Sequence, residues 1–253
     1  MNVLLTGGSG FLACFLEEYL LSKGYQVDNA SRSTTPSLES IITGDKEYDF
    51  YIHTAGLSKD SPFSEMGPYM AANVDLSRSL FNRFQRDSKG KRFIFISSLY
   101  ALDNSENATC YAKSKAMVEK ELLDTGDSRV QIIRPSLICA PDNARGILGP
   151  LQTLAMKGIG IRFPKGFDMK WVSIETMARE IEETLVESEF SSTLNLIEHV
   201  AELNDPKNWL DRFGTKAPNI VVTIPKIVIL VAFNLGHLLR LPFNRHFLRK
   251  LQS

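Results

Sequence analysis

The stretch that most constrains this chain is its opening, Met1-Asn2-Val3-Leu4-Leu5-Thr6-Gly7-Gly8-Ser9-Gly10-Phe11-Leu12-Ala13. Val3–Leu5 is an apolar run without polar alternation, the pattern of a strand buried on both faces in a parallel sheet. Thr6–Gly10 is a glycine-rich turn. From Phe11 to Lys23 apolar residues fall at helical spacing (Phe11, Leu12, Phe15, Leu16, Tyr19, Leu20), and Gly24 ends the run. Strand, turn and helix in this order form a cradle for a pyrophosphate. Gly7 lets the chain leave the strand sharply. Gly10 lets the backbone approach the phosphates, which the helix N-terminus attracts through its N–H groups and dipole. Ser9, Phe11 and Leu12 complete the expected cofactor contacts. Ala13 keeps the helix close to the sheet. A glycine turn without a ligand is the alternative; the flanking strand and helix weigh against it.

With 253 residues, the chain has room for one α/β domain and a small appendage. Its formal charge is zero, so nothing draws it to nucleic acid. The three cysteines, Cys14, Cys110 and Cys139, are odd in number and lack metal-ligand spacing. They are expected as free thiols in a reducing compartment, with no metal site. Met1 leads straight into the first strand, so no signal peptide is expected, and the location is taken as cytoplasmic.

The second strand, Tyr25–Ala30, leads into Ser31-Arg32. An acid at that strand end would bind the ribose 2′-hydroxyl of NAD and repel a 2′-phosphate. A hydroxyl and a guanidinium suit the phosphate, so NADP(H) is favoured over NAD(H). Asp28 is a nearby acid but falls inside the strand. Ser37–Thr43 reads as a short helix. The link to the next strand, Asp49–His53, is about half the usual crossover, so one strand-helix element is expected to be trimmed. Ala55 and Gly56 are small enough for a cofactor to lie against the backbone. His53 is read as structural. Met66–Asp87 is a long helical pattern that contains Asn73. Lys91–Ile96 is a buried strand ending in Ser97-Ser98. Ala108–Leu123 is helical, and Val130–Ile133 is a strand ending in Arg134-Pro135-Ser136. Beyond Pro141 the expected elements are helices at Gly149–Met156, Ile174–Val186, Pro206–Phe213 and Pro225–Leu239. Strands are expected at Ile159–Phe163, Trp171–Ser173 and Leu194–Ile197. Residues 1–140 are expected to bind the dinucleotide. Residues 141–253 are expected to form a smaller substrate-binding part intertwined with them.

Tyr111 and Lys115 are four apart and share a helix face. A tyrosine alone is a poor base, with a reference pKa near 10; a neighbouring ammonium favours its phenolate. Tyr111 is then able to exchange a proton with a carbonyl or hydroxyl. Ser98, at the preceding strand end, is placed to hydrogen-bond the same oxygen. Hydride carried on nicotinamide is the other half of carbonyl reduction or alcohol oxidation.

The order of these motifs resembles the extended short-chain dehydrogenase/reductases, in particular the NAD-dependent epimerase/dehydratase family that acts on nucleotide sugars. The residues that carry it are Thr6–Ala13, Ile52-His53-Thr54-Ala55-Gly56, Asn73-Val74, Ile96-Ser97-Ser98, Tyr111-Ala112-Lys113-Ser114-Lys115 and Ile133-Arg134-Pro135-Ser136. The resemblance implies a Rossmann-like doubly wound parallel sheet with a small C-terminal substrate-binding part. It also implies a Ser98, Tyr111, Lys115 triad and cofactor contacts that include Tyr111, Lys115 and Pro135. Asn73 is implied to hold a water-linked support for the lysine. A nucleotide sugar, a role in polysaccharide biosynthesis and a homodimer are expected on the same ground.

Four departures refine this, one being the short segment from Ser98 to Tyr111, which bears on the roof of the substrate site. Ala13 stands where many relatives have glycine. Leu99-Tyr100 follows Ser98 where sugar 4,6-dehydratases carry Asp-Glu, so dehydration is not expected. Met169–Ile174 lacks the arginine that holds substrate phosphate in many relatives, which weakens the expectation of a nucleotide sugar; Lys170 and Arg162 are the candidate substitutes. From Arg212 on there are basic residues and no acid, and Ile227–Leu239 is largely apolar. That stretch is too short for a membrane span of about twenty residues. It reads as a closing helix, with peripheral contact to an anionic membrane through the basic C-terminus as the alternative. The expected activity is NADP(H)-dependent ketoreduction of a nucleotide-linked sugar. The alternatives are a nucleotide-sugar 4-epimerase, a reductase of another carbonyl and a non-catalytic dinucleotide-binding module.

Overall fold

The computed structural model describes residues 1–32, 37–58, 65–106, 108–140, 153–187, 189–206 and 219–238. Contacts divide the chain into two units. The first is Met1–Pro135 with Thr176–Leu196, and the second the described parts of Ser136–Glu175 and Ile197–Ser253.

The first unit is built on a parallel six-stranded sheet. Five strands come from the N-terminal half: β1 (Asn2–Thr6), β2 (Gln26–Ala30), β3 (Phe50–His53), β4 (Arg92–Ile96) and β5 (Val130–Pro135). The sixth, β9 (Thr193–Leu196), returns later in the chain and pairs with β5. The order is β2-β1-β3-β4-β5-β9. After β2 the chain crosses to the other side of β1, so the order reverses between β1 and β3. In such sheets ligands bind beyond the carboxyl ends of the strands at the reversal. Here those ends carry Gly7 on one side and Thr54-Ala55-Gly56 on the other. The short link expected after β2 is borne out in form: among the described residues it holds α2 (Leu38–Thr43) alone, and β2 is the sheet edge.

The apolar runs are buried on both faces, as a sheet covered by helices requires. Val3, Leu4 and Leu5 of β1 and Phe93, Ile94 and Phe95 of β4 are fully buried. Tyr51, Phe81, Phe84 and Phe93 pack their rings together, Tyr51 and Phe84 edge to face at 5.3 Å. Around the sheet lie α1 (Phe11–Ser22), α3 (Met66–Tyr69), α4 (Leu76–Arg86), α5 (Cys110–Asp124) and α6 (Ile174–Val186). Arg92, buried at the start of β4, donates to the Thr184 and Glu187 carbonyls and lies 3.6 Å from the Phe190 ring centre. It thereby satisfies the C-terminus of α6 with a cation, where the helix dipole favours one.

The helix expected over Met66–Asp87 is not continuous. Met70–Asp75, between α3 and α4, is π-helical. Such a bulge adds a residue to the turn and re-aims side chains, often at functional sites. Here it contains Asn73.

In the second unit, β6 (Leu137–Cys139), β8 (Asp168–Ser173) and β10 (His199–Glu202) form one sheet in the order β10-β8-β6. Strands β7 (Ile159–Arg162) and β11 (Ile220–Thr223) form a parallel ribbon. Strands β6, β10 and β11 have no counterpart in the pattern read from the sequence. Cys139, Phe163, Phe167, Met169, Trp171, Leu203 and Ile229 make this unit's core, Ile229 from α7 (Lys226–Leu238). The helix expected at Pro206–Phe213, beyond Pro206 itself, and the first half of the one at Gly149–Met156 lie outside the described residues; residues 153–156 are helical as expected. Among the described residues no helix is long and apolar enough to cross a membrane.

Candidate active site

The glycine turn is held by the neighbouring strand. Gly7 and Gly8 both donate to the Ala30 carbonyl at the end of β2, at 2.9 and 3.3 Å. Gly7 has φ +104°, and a Cβ there would lie 2.4 Å from Thr54 Oγ1. Only glycine lets β1 turn this tightly against the end of β3. Ser9 and Gly10 are exposed. Helix α1 starts at Gly10 with no side-chain cap and no acid in its first turn. An N-terminus without a side-chain acceptor fits a pyrophosphate, and the turn therefore suits a dinucleotide.

At the end of β2, Ser31 is buried and its carbonyl accepts from Leu38 N at 2.9 Å, while Arg32 is exposed. Asp28 lies mid-strand opposite Leu4, as the sequence register required. It accepts from Lys46 Nζ and Tyr48 Oη, both at 2.6 Å. The acid nearest this strand end is thus engaged with its own neighbours.

Beside the turn runs a chain of buried hydrogen bonds. His53 is fully buried, with Nδ1 2.7 Å from Thr6 Oγ1 and Nε2 2.8 Å from Ser77 Oγ. Ser77 donates its one proton to the Asn73 carbonyl. It must therefore accept from His53, which places the imidazole proton on Nε2. Nδ1 then accepts from Thr6, whose oxygen is 3.4 Å from Ala55 N. Burial, helped by the charge of Lys115, lowers the His53 pKa to about 3. The ring is neutral and both nitrogens are bonded, a structural role in line with the sequence reading.

The chain of bonds leads to Asn73. Its Oδ1 accepts from Leu57 N at 2.7 Å, and its Nδ2 donates to Ser114 Oγ at 2.8 Å and to the Leu57 carbonyl at 3.2 Å. Gly56, at φ +148°, leaves room for it: a Cβ there would lie 2.6 Å from Asn73 Oδ1. Asn73 thus joins the segment after β3 directly to α5 through Ser114, the residue before Lys115.

Helix α5 carries Tyr111 and Lys115. Its N-cap Thr109 accepts from Ala112 N at 3.2 Å. Tyr111 is half-buried; burial raises its phenol above the ordinary value, and a hydrogen bond with Ser98 acts in the opposite direction. Tyr69 adds to the raising. Ser98 caps the 3₁₀ turn Leu99–Leu102 by accepting from Tyr100 N at 3.3 Å. Lys115 is buried and donates to the Ile96 carbonyl at 2.8 Å, with Nζ 4.5 Å from the Phe95 ring centre. Burial lowers its pKa to about 8, against the opposing charge of Glu119. The ammonium expected to lower the Tyr111 pKa is therefore oriented by the end of β4, and burial dominates at the phenol. The geometry joins Ser98 to Tyr111 and fixes Lys115 one turn along the same helix.

Sequence reasoning missed the ties that hold this helix. Arg134 donates from Nε to both Glu119 oxygens at 3.0 Å and from Nη2 to Oε2 at 2.6 Å. This largely buried bidentate pair joins β5 to α5. Its signal was Glu119 at four residues beyond Lys115, which gains meaning only when β5 lies alongside. Pro135, buried, ends β5 beside this pair. Tyr69 and Tyr100 also bear electrostatically on or respond to Tyr111.

A Gly-rich turn at the sheet reversal, with a serine, a tyrosine and a lysine on adjacent elements, is the arrangement expected of an extended short-chain dehydrogenase/reductase fold. The model of the NAD dependent epimerase/dehydratase family matches residues 3–150, and the chain belongs to that family. A curated relative, the sterol-4-alpha-carboxylate 3-dehydrogenase (decarboxylating) of Dictyostelium discoideum, is 33% identical over 161 residues. That match covers 50% of this chain and 49% of the relative, so the chain spans about half the length of the curated relative it matches. Among solved structures, the human epimerase family protein SDR39U1 with NADPH has a TM-score of 0.76 at 18% identity, covering 100% of this chain and 89% of that one. MoeE5 in complex with UDP-glucose and NAD has a TM-score of 0.68 at 18% identity, covering 91% and 92%. UDP-glucose 4-epimerase from Thermotoga maritima, with UDP-glucose, has a TM-score of 0.66 at 16% identity, covering 89% and 87%. These likenesses show the shared fold.

Proposed function

We propose that this protein is an NADP(H)-dependent ketoreductase of a nucleotide-linked sugar, working as a cytoplasmic homodimer. The observation that carries the reading is the hydrogen-bonded Ser98–Tyr111 pair with Lys115 on the same helix. Nicotinamide, when bound, supplies the hydride. Tyr111, raised by burial, is protonated at neutral pH and gives its proton to the substrate carbonyl oxygen. Ser98 hydrogen-bonds the same oxygen. Lys115, held by Ile96 O, offers two further N–H donors and its charge to the phenolate that results. Asn73 acts as a positioning residue through Ser114.

NADP(H) is supported by Ser31-Arg32 at the end of β2 and by Asp28 being held by Lys46 and Tyr48. The second unit supplies the substrate-binding part. A nucleotide sugar is supported by the family and by the UDP-glucose complexes among proteins of like fold. The 4-epimerase is the second reading, favoured by the epimerase of Thermotoga maritima with the same fold.

The test is a panel of nucleotide-linked keto-sugars and other carbonyl compounds with NADPH and NADH, followed by loss of reduced-nicotinamide absorbance. NADPH consumption matching product formation is expected. Inverted sugar without net consumption would replace the reductase by the epimerase. Faster turnover with NADH would remove the role given to Arg32.

A further inference from the structure

The second unit carries a face that its own core does not use. Strand β11 has one neighbour among the described strands, β7, and all four of its residues are exposed. Ile220 is 61% exposed, with Val221 and Val222 also open. In α7, Ile229 packs into the core, whereas Ile227 (66%), Val228 and Val231 (57%) point away from it. Positions 227, 228 and 231 share one helix face. Met156, 77% exposed, lies two residues before Gly158, whose carbonyl accepts from Ile220 N. Large aliphatic side chains grouped in this way mark an interaction surface.

The segments that build this face carry charge of one sign. Lys157 precedes β7, Arg162 pairs opposite Thr223, Lys165 follows, and Lys226 opens α7; all four are exposed. Residues 153–167 contain no acid. Residues 212–253 hold seven Lys or Arg and no Asp or Glu, in a chain whose 29 basic and 29 acidic residues balance. Residues 1–211 therefore hold seven more acids than bases. Neutrality overall conceals a segregated positive region that coincides in sequence with the exposed aliphatic residues.

We propose that β11 and the outer face of α7 dock on an anionic lipid bilayer surface, with the aliphatic side chains entering the interface and the flanking basic residues meeting the headgroups. The 13-residue α7 is too short to span, so the contact is peripheral. Each basic residue near an anionic surface adds attraction that falls off within a Debye length, so binding must weaken with salt. This placement is independent of the reaction proposed above and would set the enzyme beside membrane-borne substrates or acceptors.

The full-length protein is floated with phosphatidylcholine vesicles and with vesicles in which a quarter of the lipid is phosphatidylglycerol. Binding to the anionic vesicles at least about tenfold tighter, and released by salt, is expected. The double variant Ile227→Ser/Val231→Ser should weaken that binding about tenfold, with dinucleotide affinity and melting temperature unchanged because both side chains are exposed. Lys157→Glu/Arg162→Glu should weaken it without altering the apolar face. Equal binding to both vesicle types, or full binding by the serine variant, overturns the proposal. So does conversion of a dimer to monomers by the serine variant in light scattering, which would assign the face to a second copy of the chain.

Discussion

At the scale of single residues, one phenol carries the proposed chemistry and its environment decides its protonation. Tyr111 is raised by burial, and its hydrogen bond with Ser98 opposes that shift. Replacing Tyr111 by Phe removes the proton donor and leaves the glycine turn, Asn73 and Lys115 in place. Turnover should fall roughly a hundredfold or more, while dinucleotide affinity, measured by fluorescence titration, stays within about twofold. An unchanged rate in the Phe variant would move the protein into the class of non-catalytic dinucleotide binders. Lys115 shows why spacing alone misleads. The four-residue interval was legible, but its effect on the phenol depended on burial, and that required β4 and α5 together.

At the scale of elements, the π-helical turn Met70–Asp75 does what a regular helix would not. It places the Asn73 amide between Leu57 and Ser114, so the segment after β3 and the helix carrying Tyr111 are fixed to one side chain. Gly56 makes room for that amide. A Cβ at Gly56 meets both a positive φ and an oxygen at 2.6 Å, whereas at Gly24, φ +84°, it meets nothing within 4 Å. Gly24→Ala should therefore cost only the backbone term, about 1 kcal/mol. Gly56→Ala should cost more, about 2–4 kcal/mol, because Asn73 must also move. Chemical denaturation of the two variants measures the difference; equal losses would show that the Asn73 contact is not under constraint. The strand-turn-helix opening and α5 were readable because their periodicity is local. The π turn was not, because the sequence there continues a helical pattern and only partners far along the chain select the bulge.

At the scale of the whole molecule, the buried His53 links stability to pH. Its folded pKa is about 3 against about 6.5 when unfolded. The unfolded chain therefore binds the extra proton first. The stability this contributes is complete above about pH 6.5 and is lost as pH falls toward 3, at up to about 1.4 kcal/mol per pH unit. Denaturant melts across this window should show a steeper acid loss in the native protein than in His53→Asn, which is less stable near neutrality. Parallel slopes would mean that His53 is not held neutral.

How far the fold was legible follows from the same contrast. The parallel sheet was readable from apolar runs and the shortened link after β2, and Asp28 was correctly placed inside its strand by register. Strands β6, β10 and β11 were not, because they are short and take their places only by pairing with distant segments. Strand β7 was readable in the sequence, whereas β11, whose four residues are all exposed, matched no expected element.

By itself the sequence determined the Rossmann-like fold, through the glycine turn between a buried strand and a helix, and it offered Ser98, Tyr111 and Lys115 as the proposed triad. Those signals are local or periodic, so the chain carries them before it folds. The tertiary structure alone decided which side chains hold them: His53 and Asn73 beside the turn, Arg134 on Glu119, and Lys115 on Ile96. It also decided that Ile227 and Val231 remain outside. Each of these depends on desolvation and on contacts between segments far apart in sequence, which come into being only when the chain is packed.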